Sequence, residues 1–184
     1  CSAICQRGGG VDGRENCANL RPLPLEVGEQ IEGRQAVGGG EGQTEGSCGG
    51  EGAELVFAFA PRAAGTLALS VTTEVSSLDA TLYVRAEACG DASSEAPGAC
   101  RNDGGTGDPE GLDLPVEAGK TYFVFVDARG EGEVTLGVRL DEGGGCEGEG
   151  EACDTTLEGD CAAGTLTCVD NRYLVCRANE EGCG

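Results

Sequence analysis

The sequence predicts an all-β sandwich with a small cysteine-rich module after it, and three observations carry the prediction. Short runs of alternating apolar and polar residues recur along the middle of the chain, and turns rich in Gly or Pro separate them. No segment shows helical periodicity over three turns. The 184 residues include 12 Cys but no Cys-x-x-Cys pair, which favours disulfides over metal ligation.

Cysteine and charge distribution divide the chain into three segments. Residues 1–22 form a polar N-terminal arm, residues 23–140 contain the strand patterns, and residues 141–184 form a cysteine-rich tail. We therefore expect one sandwich with two satellites, of which the tail is stapled by disulfides because its apolar content is too small for an independent core.

Six runs in the middle segment predict strands. Two of them, residues 55–60 and 122–126, are apolar on both faces, which indicates strands that lie centrally or are covered by chain outside the sheet. The other four alternate and should each have one face in solvent: 66–72, 81–85, 112–117 and 134–140. Their spacing is typical of a sandwich.

A glycine-rich segment precedes the first of these runs. Eight of the residues in 36–52 are Gly, which predicts a long surface loop that Cys48 fastens. Disorder is the competing interpretation of this composition.

The tail contains an internal repeat. Its cysteines are spaced alternately by 7 and 8 residues, so that a unit of 15 residues recurs: Cys146, Cys153, Cys161, Cys168, Cys176 and Cys183. This number is even, and we expect the tail to form its disulfides within itself.

We expect six disulfides in the whole chain. Cys89 and Cys100 are predicted to pair across their own loop, which leaves Cys48 to bond one arm cysteine, and the arm contains Cys1, Cys5 and Cys17. A lipid anchor at Cys1 is an alternative that we do not favour, because it would leave eleven cysteines and one of them unpaired.

Composition excludes several function classes. The chain has no His, which removes Ser-His-Asp and Cys-His nucleophile systems, His-ligated zinc and c-type haem attachment. Its formal charge of −21 opposes binding to nucleic acid. No apolar run of 18 residues is present, so the sequence predicts no transmembrane segment. We expect no haem, no zinc and no enzymatic activity.

Five stretches of the middle segment follow the order and spacing of a known domain family: Cys48–Phe59, Ala64–Leu67, Leu78–Arg85, the region from Cys89 to Asp103, and Ala118–Asp127. In these stretches the segment resembles the bacterial pre-peptidase C-terminal domain. The resemblance implies a secreted jelly-roll-like β-sandwich of about eight strands. Similar collagen-binding modules use calcium, although Glu54 stands here where Asp is common. The tail resembles cysteine-rich repeats of secreted bacterial surface proteins, in which Thr167–Cys176 is a typical turn between two strands.

An acidic loop at residues 102–113 is the candidate metal site. Calcium prefers six to eight oxygen ligands on a flexible backbone, so we expect it to bind Asp103, Asp108 and Glu110, with Asp79 as a further ligand. Asp127 could approach the same loop. A solvated turn, or acidic residues that cap strands, is the alternative interpretation.

Two functional hypotheses follow, both outside the bacterial cell or on its outer surface. In the first, the chain is a non-catalytic structural or adhesive protein that self-associates, with the arm crossing to a neighbouring subunit and an open strand edge receiving it. In the second, it is a calcium-assisted module that docks a secreted hydrolase onto an extracellular polymer. If the arm instead folds back on its own domain, the first hypothesis loses its main mechanism.

Overall fold

The computed structural model describes residues 13–38 and 40–142, together with the strand backbones at 152–154, 163–169 and 173–178. The chain divides into two compact units, residues 1–141 and 142–184, which are described separately here. The further separation of an arm at residues 1–22 from the sandwich stays a prediction.

The first unit contains nine strands, and the only other regular element in its described residues is a 3₁₀ turn at Ala92–Ser94. The strands are β1 (Leu23–Leu25), β2 (Gln30–Val37), β3 (Ala53–Pro61), β4 (Gly65–Thr73), β5 (Asp79–Ala86), β6 (Glu95–Arg101), β7 (Glu110–Val116), β8 (Tyr122–Arg129) and β9 (Gly132–Glu142). All six predicted strands are therefore confirmed, but the solvent-exposed face expected for residues 81–85 is wrong, because β5 is buried on both faces. The sequence analysis missed β1, β2 and β6.

These strands form two sheets, with the order β1-β3-β8-β5-β6 in one and β2-β9-β4-β7 in the other. Neighbours within a sheet are rarely consecutive in sequence, because the chain passes back and forth between the two sheets. The predicted all-β, jelly-roll-like sandwich is thus confirmed.

The main core lies between the sheets and follows the predicted alternation. Strands β4, β7 and β9 each bury every second side chain, as Leu67, Leu112 and Leu136 illustrate. The five-stranded sheet contributes alternate residues such as Phe57 and Val124 from its inner face. Burial of this apolar area, at about 25 cal/mol per Å², is the principal driving force for the sandwich.

A second, smaller cluster covers the outer face of the five-stranded sheet. Val56, Tyr83 and Phe125 point outward from β3, β5 and β8, and all three are buried. Leu20 and Cys17 from residues 13–22 and Cys48 from the glycine-rich loop pack against them. The two strands predicted to be apolar on both faces are therefore both central and covered.

Residues 13–22 fold back on their own sheet. The backbones of Arg14 and Val56 exchange two hydrogen bonds, at 2.9 and 2.7 Å, along the edge of β3. The side chain of Gln35 bonds both the N–H and the carbonyl of Gly13. This part of the arm therefore has the folded-back arrangement that the sequence left as an alternative.

Two disulfides join these covering segments to the sheet, and they correct the predicted pairing. Cys17 bonds Cys89 and Cys48 bonds Cys100, so Cys89 and Cys100 do not pair, and the arm cysteine does not reach Cys48. Cys100 lies opposite Tyr83 on the neighbouring strand, whereas Cys89 follows the end of β5. About 10 Å of strand separates the two levels, which exceeds the span of a disulfide. The predicted bonds of Cys1 and Cys5 fall outside the described residues.

Every edge strand of the sandwich carries a residue that opposes strand addition. Pro24, Pro97 and Pro115 lie in β1, β6 and β7, and Pro has no N–H to donate to a further strand. The fourth edge, β2, contains the exposed charged residues Glu32 and Arg34. Such features protect natural sheets from edge-to-edge association.

The second unit contains a three-stranded antiparallel sheet. Its strands are β10 (Ala152–Asp154), β11 (Ala163–Val169) and β12 (Tyr173–Ala178), in that order. The pairing of Val169 with Tyr173 agrees with the turn that the tail resemblance implied. The predicted tail disulfides fall on parts of the chain outside the described residues.

We expect the double variant Cys48→Ser/Cys100→Ser to remain folded but lose about 4 kcal/mol of unfolding free energy, as the chain-entropy estimate gives for a closed loop of this size. The bonded cysteines are 52 residues apart, and the main core lies on the other side of the sheet. Urea unfolding of the oxidised proteins measures the loss. Non-reducing peptide mapping that joins Cys89 to Cys100 would contradict the pairing itself.

Candidate functional site

A row of polar side chains crosses the outer face of the five-stranded sheet. Glu54 on β3 is directly opposite Asp127 on β8, and Asp127 is opposite Thr81 on β5. All three are buried, with exposed fractions of 5%, 2% and 6%. Two like charges placed opposite each other on neighbouring strands repel, so this row needs specific partners.

The glycine-rich loop supplies the partners of Glu54. The backbone N–H and the hydroxyl of Thr44 donate to Glu54 Oε2 at 3.1 and 2.8 Å. The hydroxyls of Thr44 and Tyr83 are 2.7 Å apart, and since Thr44 already donates to Glu54, Tyr83 donates to Thr44. Burial raises the pKa of Tyr83, which keeps this donor protonated.

Asp127 is only half satisfied. Its Oδ1 accepts a hydrogen bond from the N–H of Gly52 at 2.8 Å, whereas its buried Oδ2 has no partner. Burial is the main cause that raises the pKa of Asp127 to about 7, and the negative charge of Glu54 adds to it, against the Gly52 hydrogen bond and Arg129, which lower it. This carboxyl therefore changes charge near neutral pH.

Glycine lets the loop lie against these side chains. Gly50 has a φ of +107°, and a Cβ added there would be 3.1 Å from the Asp127 carboxyl carbon. A Cβ on Gly46 would be 2.8 Å from the ring of Tyr83. The high Gly content of the loop thus has a structural reason, and Cys48 fastens the loop as predicted.

Next to the polar row lie two stacked rings and a buried arginine. Tyr83 and Phe125 are opposite each other and stack with centroids 4.6 Å apart. The Arg85 guanidinium lies 4.8 Å from the centroid of Phe125, a cation–π contact. It donates to the carbonyls of Cys89 at 2.8 Å and Glu45 at 3.1 Å, so one side chain joins the glycine-rich loop to the segment that follows β5.

The loop separates two open polar clefts. The larger, about 870 Å³, lies between loop residues 43–47 and the segment 90–98. The smaller, about 590 Å³, is lined by residues 41–45, Gly50, Glu51 and Arg129. Both are bordered mainly by backbone, glutamates and other polar groups, and the loop between them is held by a disulfide and by Glu54.

The predicted calcium ligands do not converge. Glu110 accepts the N–H of Gly104 at 2.7 Å and Asp108 accepts the N–H of Gly105 at 3.1 Å, so both carboxylates close the turn in which they lie. Asp103 is exposed and lies 3.9 Å from Arg101. In the described part of the chain, no group of three or more Asp, Glu, Cys or His is arranged to hold a metal ion. Calcium binding at this turn stays a prediction.

Asp79 belongs to a different place, together with Asp127. Both line a small polar cavity of about 40 Å³ beneath the loop, and Thr81 and Asn102 line it too. Sequence analysis named Asp79 and Asp127 but missed Glu54 and Asp127 as a facing pair. The sequence did offer a signal. Side chains two residues apart in a strand share a face, so Asp127 had to lie on the same face as Phe125.

Comparison with solved structures gives distant structural similarity. No family model and no curated protein matches the chain. A solved structure, the pre-peptidase C-terminal domain of collagenase from Bacillus anthracis, aligns with 68% of this chain and 100% of that chain, at 15% identity and a TM-score of 0.38. Similarity at this level carries no information about ligand or partner, which have to be inferred from the chain's own residues. No helix among the described residues has the length and hydropathy to cross a membrane.

We expect Asp127→Asn to change how stability depends on pH when a chelator is present. Because the folded pKa is raised above the unfolded value of about 3.9, the wild type loses stability as pH rises from about 4 through 7. The amide does not ionise, so the variant lacks this loss. Between pH 4 and a pH above 7, the pKa shift from 3.8 to about 7 corresponds to a loss of on the order of 4 kcal/mol of unfolding free energy in the wild type. The variant does not undergo this loss.

Urea unfolding of both proteins at pH 4, 6 and 8 tests this expectation. The change in the difference between the two proteins is the measured quantity, since acidic residues far from Asp127 contribute equally to both. A difference that is the same at pH 4 and pH 8 would show that Asp127 titrates as an ordinary carboxyl.

We expect Arg85→Lys to lower the unfolding free energy by about 2 kcal/mol. A single ammonium group cannot replace the guanidinium, which donates to the carbonyls of Cys89 and Glu45 and also contacts the Phe125 ring. Hydrogen exchange should also become faster in residues 43–47. Arg62→Lys is the matched control, since Arg62 is exposed and only 3.9 Å from Glu26 at best. Equal unfolding free energies of Arg85→Lys and Arg62→Lys would show that Arg85 does not hold the loop to the segment that follows β5.

Proposed function

We propose that this chain is a non-catalytic, exported binding module whose ligand surface is the pair of clefts on either side of the glycine-rich loop. The observation that carries the proposal is the fixation of this loop from three sides, by the Cys48–Cys100 disulfide, by Glu54 and by Arg85. A loop held in place before its ligand arrives loses little conformational entropy on binding. Binding loops on a rigid β-scaffold are a common arrangement.

The charge around the clefts favours a cationic partner. Glu41, Glu45 and Glu51 border the smaller cleft, and Arg129 is the one basic residue that lines it. Arg129 is itself 3.3 Å from Glu51, so the cleft keeps a negative excess. With a formal charge of −21 on the whole chain, long-range attraction acts in the same direction. We therefore propose a basic extracellular polymer, such as a Lys-rich or Arg-rich polypeptide, as the ligand.

A non-catalytic role agrees with the chemistry of the described residues. All four cysteines in residues 13–142 are in disulfides, so none of them is a free nucleophile. The loop covers Glu54 and Asp127, so these two carboxyl groups are not accessible as general bases. The same disulfides favour an oxidising compartment, which supports a location outside the cell or on its outer surface.

Self-assembly, the other hypothesis, has less support than binding. Residues 13–22 pack on their own sheet, and Cys48 is already bonded within the chain. The strands β3 and β8 are central, and the edge strands carry Pro or charge. The features that favoured a filament therefore have explanations within a single subunit.

Binding to polylysine and to a neutral polymer of equal length, measured by biolayer interferometry, tests the proposal. We expect Glu41→Gln/Glu45→Gln to weaken polylysine binding at least tenfold. The control is Glu32→Gln/Asp113→Asn, which removes two exposed charges from the four-stranded sheet and should change binding less than threefold. Equal losses in the two double variants would show that net charge alone attracts the polymer.

Sedimentation velocity of the oxidised chain separates the two hypotheses. A module with protected edges should sediment as a monomer at every salt concentration. Assembly into oligomers, combined with no polymer binding, would overturn the binding proposal and favour the structural role.

A further inference from the structure

We propose that the glycine-rich loop is a pH-dependent latch, which closes over protonated Asp127 and opens more often once Asp127 is ionised. The proposal is supported by the contact between the loop and this carboxyl, by the charges around it and by the way in which the loop is attached. The loop borders both clefts, but the proposal does not depend on what the clefts bind.

Asp127 lies directly against the backbone of the loop. A Cβ built on Gly50 would be 3.1 Å from Asp127 Oδ2, and one built on Gly42 would be 3.3 Å from the same oxygen. The N–H of Gly52 donates to Oδ1 at 2.8 Å. Because Asp127 is only 2% exposed, the closed loop separates its carboxyl group from water.

The closed loop suits the protonated form of this carboxyl better than the ionised form. Asp127 Oδ2 is buried and has no hydrogen-bond partner. A buried charge without a full set of partners costs far more free energy than a buried neutral group. The pKa of Asp127, raised to about 7 mainly by burial, agrees with this difference. Opening of the loop lets water reach the carboxylate and removes most of the cost.

The charges around Asp127 add to the cost of its ionisation. Glu54 faces it from β3 and Glu45 belongs to the loop, and both raise its pKa. Arg129 lowers its pKa, but the arginine side chain is 71% exposed and lies 3.3 Å from Glu51, so solvent and a second carboxylate weaken its effect. The remaining polar groups on this face come from β5 and from the residue after β6: Asp79, Thr81, Tyr83, Arg85 and Asn102. Arg85, the only cation among them, is engaged with two carbonyls and the Phe125 ring.

The loop can open without disrupting the main core. The Cys48–Cys100 disulfide ties the middle of the loop to β6, so the residues on either side of Cys48 can move while the loop stays attached. Hydrogen bonds to Glu54, Asp127 and Arg85 hold these residues down. The main core packs against the opposite face of the sheet. Surface segments held mainly by a few hydrogen bonds are those that open locally in folded proteins.

The direction of the pH dependence follows from the sign of the pKa change. The pKa of Asp127 is raised in the closed state above its ordinary value of about 3.9. The closed loop is therefore most stable below about pH 4, and openings become more frequent as the pH rises through about 7. Mildly acidic surroundings should preserve the shape of both clefts.

The test compares hydrogen exchange of residues 41–52 in the full-length oxidised wild type and in Asp127→Asn, at pH 5 and pH 7.5. The intrinsic effect of pH on exchange is the same in both proteins and cancels in the ratio of their rates. We expect the ratio of the wild-type rate to the variant rate to rise roughly 10- to 100-fold between the two pH values, because only the wild type ionises beneath the loop. Asp113→Asn is the matched control, since it removes an exposed carboxyl from β7 and should exchange as the wild type does.

A ratio that is the same at both pH values would overturn the proposal. An equal rise in strand β9 would show that the whole domain unfolds, and would overturn it too. Glu54→Gln provides a second variant, because it removes the facing charge but keeps an oxygen that can accept from Thr44. Its exchange should accelerate with pH roughly threefold less than that of the wild type, as a pKa difference of about half a unit gives. An undiminished acceleration in Glu54→Gln would count against the proposal.

Discussion

The outer face of the five-stranded sheet has to be covered, and most other features of the first unit depend on this requirement. That face carries aromatic and aliphatic side chains, of which Val56, Tyr83 and Phe125 are buried, so exposure to water would be unfavourable. Within the described residues of the first unit, neither the four-stranded sheet nor a helix covers it. The cover is built from residues 13–22 and 40–52, which have few apolar side chains and therefore need covalent fixation.

The way in which this cover is attached explains the chemistry beneath it. Glycine allows the loop backbone to approach Tyr83 and Asp127 closely, and the two disulfides hold loop and arm at that distance. Close approach removes water from Glu54 and Asp127. Glu54 Oε2 gains two donors from Thr44, whereas Asp127 Oδ2 has no partner. The raised pKa of Asp127 and the missing hydrogen-bond partner of its Oδ2 are thus consequences of covering a row of charged side chains.

The same architecture bears on how the molecule meets its partners. Proline in three edge strands and charge in the fourth leave little scope for strand addition, and the large negative charge keeps copies apart. The remaining distinctive surface is the pair of clefts beside the loop. A structure that fixes a loop so firmly, on a sheet that it also has to protect, is suited to presenting that loop to a ligand.

The sequence by itself determined the fold class and the main core. Both signals used for the strands are local: alternation at period two, as at 66–72 and 134–140, and short runs that are apolar on both faces, as at 55–60. All six runs predicted their strands correctly. Strands β2 and β6 were missed because each contains Gly, and β6 also Pro97, so that neither alternates clearly. Their place is set by pairing with β9 and β5, which is not visible locally.

The disulfide pairing and the polar site were decided only by the tertiary structure. Proximity in sequence predicted Cys89 with Cys100, but the register of β5 against β6 places them at different levels. Likewise, Glu54 and Asp127 are 73 residues apart in the chain and become neighbours only through the pairing of β3 with β8. Strand register depends on the packing of a whole face, and for this reason a single sequence predicts which residues face the core better than which residues face one another.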